Sequence, residues 1–231
     1  MATVVIVDGA DVCRAPIVEF TLRKQFAGPT WLSGLAVVSR GVEVTSGQRM
    51  CEVAGLKLGL SAPATAFFDA HRSKVLTPDD LTAADLLLTA ERTHRAAITR
   101  IFPEAKAKTF TWKEALVLAD AAVDAVAEGA APRPAALPEL VALLARARGA
   151  VPLIEPPVQT AAFHWKPEEA ADPLTTVDGH EDEALHRHTV EESYLVSASL
   201  GQRFQELVNA AGRAARLGHP AGRDRWVHFS A

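Results

Sequence analysis

The stretch TVVIVDGADVCRAP, residues 3–16, decides the reading of the fold. With Ala2 it opens as an apolar, β-branched run, the kind that forms a central parallel strand covered on both faces. The run stops at Asp8-Gly9, and Pro16 stands where the first turn of a helix tolerates it. Ile17, Phe20, Leu22 and Phe26 then recur near helical spacing as far as Gly28-Pro29. A strand, a short loop and a helix are therefore expected in succession. A loop of this kind offers the unpaired N–H groups of a helix N-terminus to an anion.

The same alternation continues outward. WLSGLAVVSRG (31–41) reads as a second strand and GQRMCEVAGLKLGL (47–60) as the helix returning from it, whereas APATAFFDAHRSKVL (62–76) is irregular. In TPDDLTAAD (77–85), Thr77 is a helix cap and Pro78 the first helical residue, leading into DLLLTA (85–90), a short buried strand. ERTHRAAITRIF (91–102) is helical, AKTFTW (107–112) a strand, and KEALVLADAAVDAVAEG (113–129) a helix stopped by Gly129. Four strands separated by helices imply an α/β fold, an open four-stranded parallel sheet with helices on both faces.

Beyond Gly129 the pattern loosens. AAPRPAALP (130–138) is a connector and PELVALLARARG (138–149) one further amphipathic helix, while 150–173 holds too much proline for regular structure. A long helix is expected from about Glu181 to Leu217, broken near Gly201, with 218–231 as a tail. The expected organisation is one domain over 1–217 with a Pro-rich insertion at about 130–176.

With 231 residues, 48% of them hydrophobic, the chain can bury one substantial core. A net charge of −4 leaves no basic field for nucleic acid or an anionic membrane, so neither is an expected partner. The opening MATVVIVDGA has no positive n-region and too short an apolar run for a signal peptide, so a cytoplasmic protein is expected. Cys13 and Cys51 are the only cysteines and lie far apart, the usage of a reduced compartment, and neither suggests a metal cluster.

Residues 8–16 resemble the phosphate loop of the low-molecular-weight protein tyrosine phosphatases, which reads Cys, five residues, Arg, then Ser-Pro. Here it reads Asp8, GADVC, Arg14, Ala15-Pro16. VVSRG (37–41), residues 69–98 and PEAKAKTFTWKEAL (103–116) are similar to further strands and helices of that family. The resemblance covers roughly 2–128 and, more thinly, 172–214. It implies the phosphotyrosine phosphatase I-like fold. It also implies a reaction in which the loop thiolate attacks phosphorus, arginine grips two equatorial oxygens, and an aspartate of an Asp-Pro pair protonates the leaving group.

By this resemblance Gly9, Ala10, Asp11, Val12, Cys13 and Arg14 form the phosphate cradle, and Asp8 and Arg14 hold catalytic positions. Three positions depart from the family pattern: Asp8 replaces the nucleophilic cysteine, Asp11 the asparagine that braces the loop, and Ala15 the serine that steadies the leaving thiolate. Cys13 matches a second, non-nucleophilic cysteine of some members, lacks its disulfide partner, and is expected to point away from the phosphate centre. Two residues compete for the general acid. Asp178 lies at the better distance from the last helix and is favoured; Asp172, in the literal Asp-Pro pair, is the alternative.

GHEDEALHRH (179–188) also invites a metal reading, because Asp182 and His186 are four apart with His180 and His188 nearby. No His-Glu-x-x-His spacing is present, and a helix start with acidic residues accounts for the stretch, so no metal is expected. His71 and His94 match family positions that brace structure, and Phe163 and Trp165 are read as loop anchors.

The functional expectation is a degenerate relative of these phosphatases that lacks cysteine-based activity and binds a protein partner or a small anion at the loop, without a cofactor. The alternative is an active phosphatase or phosphoryl-transfer enzyme that uses Asp8 as nucleophile or base, with Mg2+. The arsenate reductases of the family need a nucleophilic thiol and resolving cysteines, which two cysteines cannot supply.

Overall fold

The computed structural model describes residues 1–45, 47–151 and 174–209. Its strands are β1 (Thr3–Asp8), β2 (Ala36–Gly41), β3 (Leu86–Thr89) and β4 (Thr109–Thr111). The helices are α1 (Arg14–Phe26), α2 (Glu52–Leu58), α3 (Ala62–Ala70), α4 (Pro78–Ala83), α5 (Arg92–Ile101), α6 (Trp112–Ala127), α7 (Leu137–Ala147) and α8 (Glu183–Val208). The strands form one parallel sheet in the order β2-β1-β3-β4, with Val4 of β1 opposite Val37 on one side and Leu86 on the other. The expected α/β architecture is present.

Side chains alternate along a strand, so the continuous apolar run of β1 supplies two cores. Val4 and Ile6 join Leu86, Leu88 and Phe110 under α1, α6, α7 and α8. Val5 and Val7 join Leu87 under Leu81, Ala84 and Ile98 on the opposite face. A third, smaller cluster of Cys13, Ile17, Met50, Ala54 and Val190 lies beside the loop that follows β1. The strand order reverses between β1 and β3, which puts that loop at the switch point where open α/β sheets bind ligands.

Local signals account for several helix starts. Thr77 and Asp80 make a capping box ahead of Pro78, and Thr111 and Glu114 make another at α6. Other segments differ from the sequence reading. Residues 31–34 form a 3-10 turn, and the strand begins only at Ala36. The helix expected over 47–60 is limited to α2, capped by Cys51, whose Sγ accepts the Ala54 N–H at 3.4 Å. The irregular stretch contains α3, capped by the Ser61 hydroxyl on the Ala64 N–H. It escaped notice because only Ala64 of that helix is buried, so no apolar stripe marks it.

No break occurs near Gly201, and α8 continues through it. The glycine serves close approach to α1: a Cβ there would lie 2.6 Å from Cβ of Gln25. From the insertion, α7 buries Leu137, Leu140, Leu143 and Leu144 in the main core. The rest of the insertion, 152–173, lies outside the described residues together with Phe163, Trp165 and Asp172, as do 210–217 of the expected last helix and the tail 218–231. Among the described residues no helix is long and apolar enough to cross a membrane.

Candidate functional site

Asp8 ends β1 and is 2% exposed. Its Oδ1 accepts the Asp11 N–H at 2.6 Å and its Oδ2 the Ala15 N–H at 3.0 Å. Loop donors that could face an anion are thus turned onto the chain's own carboxylate. Neighbouring backbone fixes the loop from outside: Val42 N–H donates to Asp8 O, Glu43 N–H to Gly9 O and Cys51 N–H to Val12 O.

Asp11 is the one non-glycine residue with positive φ among those described, at 56°, a conformation that aspartate tolerates better than most side chains. Its Oδ2 accepts the Lys74 N–H at 2.9 Å, and its carbonyl accepts from His71 Nε2 at 2.7 Å. Burial pushes its carboxyl up to about 7, against the opposing hydrogen bonds from Ser39 and Lys74. Asp11 therefore braces the loop, and His71 braces Asp11.

Arg14 is 2% exposed. Its Nη1 donates to Glu91 Oε1 at 2.6 Å and to the Thr176 carbonyl at 2.7 Å, and Nη2 reaches Asp178 Oδ2 at 3.4 Å. Its Nε lies 4.0 Å from Asp8 Oδ2, so three carboxylates surround one guanidinium. Thr176 is itself pinned: its N–H donates to Ala90 O at 2.9 Å, and its Oγ1 accepts from Trp112 Nε1 at 2.9 Å. His94 is buried beside Glu91, with Nε2 3.9 Å from Oε1, and desolvation holds its pKa low despite the carboxylate.

The structure thus brings Asp8, Arg14 and Asp178 together. His180 clasps Asp178, with Nδ1 2.6 Å and the backbone N–H 3.1 Å from Oδ1. Burial pushes the Asp178 carboxyl up, but the His180 bonds and Arg14 outweigh it and leave the pKa below the ordinary value. An ionised carboxylate at neutral pH has no proton to give a leaving group. Glu91 and Thr176 escaped sequence reasoning. Glu91 could have been found, since it stands just past the carboxyl end of β3, where open sheets place their functional groups.

The cysteines require a correction. Cys13 does point away from the cradle, into the third cluster, but it meets Cys51 and two histidines there. Cys13 Sγ lies 3.1 Å from His186 Nε2 and Cys51 Sγ 3.6 Å from the same atom, with the His180 and His186 rings 4.3 Å apart. One potential ligand atom from each of the four lies within 4.8 Å of all the others. A hydrogen bond from the Cys13 thiol lowers the pKa of Cys51 and raises that of Cys13, and burial reinforces the rise at Cys13. His180 is raised to about 9, first by its bond to Cys51 and then, against desolvation, by Asp178. Asp182, which the sequence grouped with His186, caps α8 on the Leu185 N–H instead, and His188 is exposed.

The four-stranded parallel sheet, in the order β2-β1-β3-β4 with its covering helices, is the fold of the low-molecular-weight tyrosine phosphatases. The chain is similar to the tyrosine phosphatase AmsI of Erwinia amylovora, with 17% identity and a TM-score of 0.51 over 90% of this chain and 95% of that one. It is similar also to the tyrosine phosphatase Wzb from Escherichia coli K30, solved in complex with phosphate, with 18% identity and a TM-score of 0.51 over 90% and 98% of the two chains. At these identities the likeness is one of fold. No protein-family profile and no curated sequence matches the chain.

Proposed function

We propose that this chain is a phosphatase-fold protein that lacks cysteine-based phosphoryl transfer and works as a binding protein, engaging a protein partner through the surface around the remodelled cradle. The supporting observation is the occupation of the loop by Asp8, whose two oxygens take the Asp11 and Ala15 N–H groups. Arg14 adds to it, being engaged by Glu91, Thr176 and Asp178. An entering phosphate dianion would have to displace carboxylates from both sets of donors.

The reading with Asp8 as a Mg2+-assisted nucleophile gains no support from the carboxylate geometry. Asp8 is directed at loop N–H groups and Asp11 at the Lys74 N–H, so the two acids are not aimed at a common ion. The test is hydrolysis of an aryl phosphate by the full chain, with and without Mg2+, beside Asp8→Asn and Arg14→Ala. The expected result is turnover no greater than that of the variants, and no calorimetric signal with inorganic phosphate. Turnover abolished by either substitution, or saturable phosphate binding lost in Arg14→Ala, overturns the reading.

A further inference from the structure

We propose that Cys13, Cys51, His180 and His186 form a closed, tetrahedral Zn2+ site beside the cradle. The four residues come from separate places in the chain: the end of the first loop, the cap of α2, the turn before α8 and the first turn of α8. Tetrahedral zinc with thiolate at about 2.3 Å and imidazole at about 2.0–2.1 Å sets its ligand atoms roughly 3.3–3.8 Å apart. The Cys13–His186 and Cys51–His186 separations of 3.1 and 3.6 Å fall at or beside that range, and the widest of the set stays within 4.8 Å. Closing the remaining gaps needs only side-chain adjustment.

Three features mark the cluster as built for an ion. Asp178 Oδ1 sits 2.6 Å from His180 Nδ1, which assigns Nε2 to the cluster and reproduces the carboxylate–histidine pairing that orients and strengthens metal-bound imidazole. The Ala54 N–H points at Cys51 Sγ, a donor suited to a thiolate. Gly179 lets the His180 turn lie against α8: a Cβ there would come within 2.7 Å of the His186 backbone nitrogen.

The donor set selects the metal. Two thiolates and two imidazoles suit Zn2+ and are foreign to Mg2+ or Ca2+, which take oxygen. Cys13 is buried among Ile17, Met50, Ala54 and Val190, while His180 is exposed, so the site has a dry floor and a path from solvent. Binding would release the thiol protons and leave no ligand position for substrate, which is the arrangement of a structural site.

The experiment uses the full chain, kept reduced, loaded with Zn2+ and desalted, with metal counted by elemental analysis and affinity set by chelator competition. One Zn2+ per chain is expected. Cys51→Ser or His186→Gln should weaken binding by more than about 100-fold and Asp178→Asn by about 10–100-fold, with His188→Ala unchanged. Co2+ in place of Zn2+ should give the intense visible bands of a tetrahedral ion and a thiolate charge-transfer band. Because the wild-type chain itself carries the stoichiometry and the spectrum, a variant that fails to fold leaves the test intact. Substoichiometric Zn2+ in the reduced chain, binding indifferent to Cys51→Ser and His186→Gln, or a Co2+ spectrum without thiolate ligation overturns the proposal.

Discussion

Cys13 Sγ stands 3.1 Å from His186 Nε2, although 173 positions separate the two residues. The contact depends on two backbone arrangements, the Cys51 N–H on Val12 O at 2.8 Å and the tight turn at Gly179. The turn can be tested on its own.

Gly179→Ala is expected to lower stability by about 1–3 kcal/mol, because the added methyl meets α8 backbone that cannot move aside cheaply. Gly34→Ala, where a Cβ would meet nothing within 4 Å, should stay within about 0.5 kcal/mol of the parent. Urea denaturation of both variants decides; equal midpoints would contradict the packing described.

Asp11 gives stability a pH dependence of unusual sign. Burial keeps it protonated in the folded chain up to about pH 7, whereas the unfolded chain releases that proton near pH 4. Between those values the folded state holds more protons, so stability falls as pH rises through the window and the loss is complete above it. At about 1.4 kcal/mol per pKa unit the loss is on the order of 4 kcal/mol. With chelator present, Asp11→Asn should therefore be stabilising at pH 8 relative to its effect at pH 4, as measured by urea unfolding. The same effect at both pH values would remove the argument.

Leu144→Ala should cost about 2–5 kcal/mol, because Leu144 is fully buried where α7 meets the main core. Leu56→Ala, at a side chain 74% exposed, should change stability by less than about 0.5 kcal/mol. A negligible loss at Leu144 would mean that α7 is an appendage rather than part of the domain.

Thr176→Val leaves the buried Trp112 indole N–H without its acceptor, at a cost of about 1–3 kcal/mol. Combined with Trp112→Phe, the cost should be less than the sum of the two single changes, since the second substitution removes the orphaned donor. Thermal unfolding of the four proteins in this cycle provides the check, and strict additivity would exclude the bond as a contributor.

Elements marked by local chemistry were legible in the sequence. β1, its loop and α1 follow from one apolar run and its punctuation, and the Thr77 cap from a single short motif. Asp178 was placed by its distance from the last helix, and the structure sets it on Arg14. The grouping of Cys13, Cys51, His180 and His186 was not legible, because metal motifs are recognised by short spacing and these residues meet only through tertiary packing. Gly201 was misjudged for a related reason: glycine reads as a helix breaker, and its use against Gln25 appears only when α1 and α8 are laid together. The role of Asp8 was half visible. Its carboxylate at the cradle was evident, but not that it would take the loop's own N–H groups.

Asp178 has one oxygen on the Arg14 guanidinium and the other on the His180 imidazole. A single carboxylate thus bridges the two neighbourhoods, and any event that repositions it is felt in both. Linkage makes such an effect reciprocal: whatever free energy ordering His180 adds to the Asp178–Arg14 contact, loosening that contact withdraws from the ordering of His180.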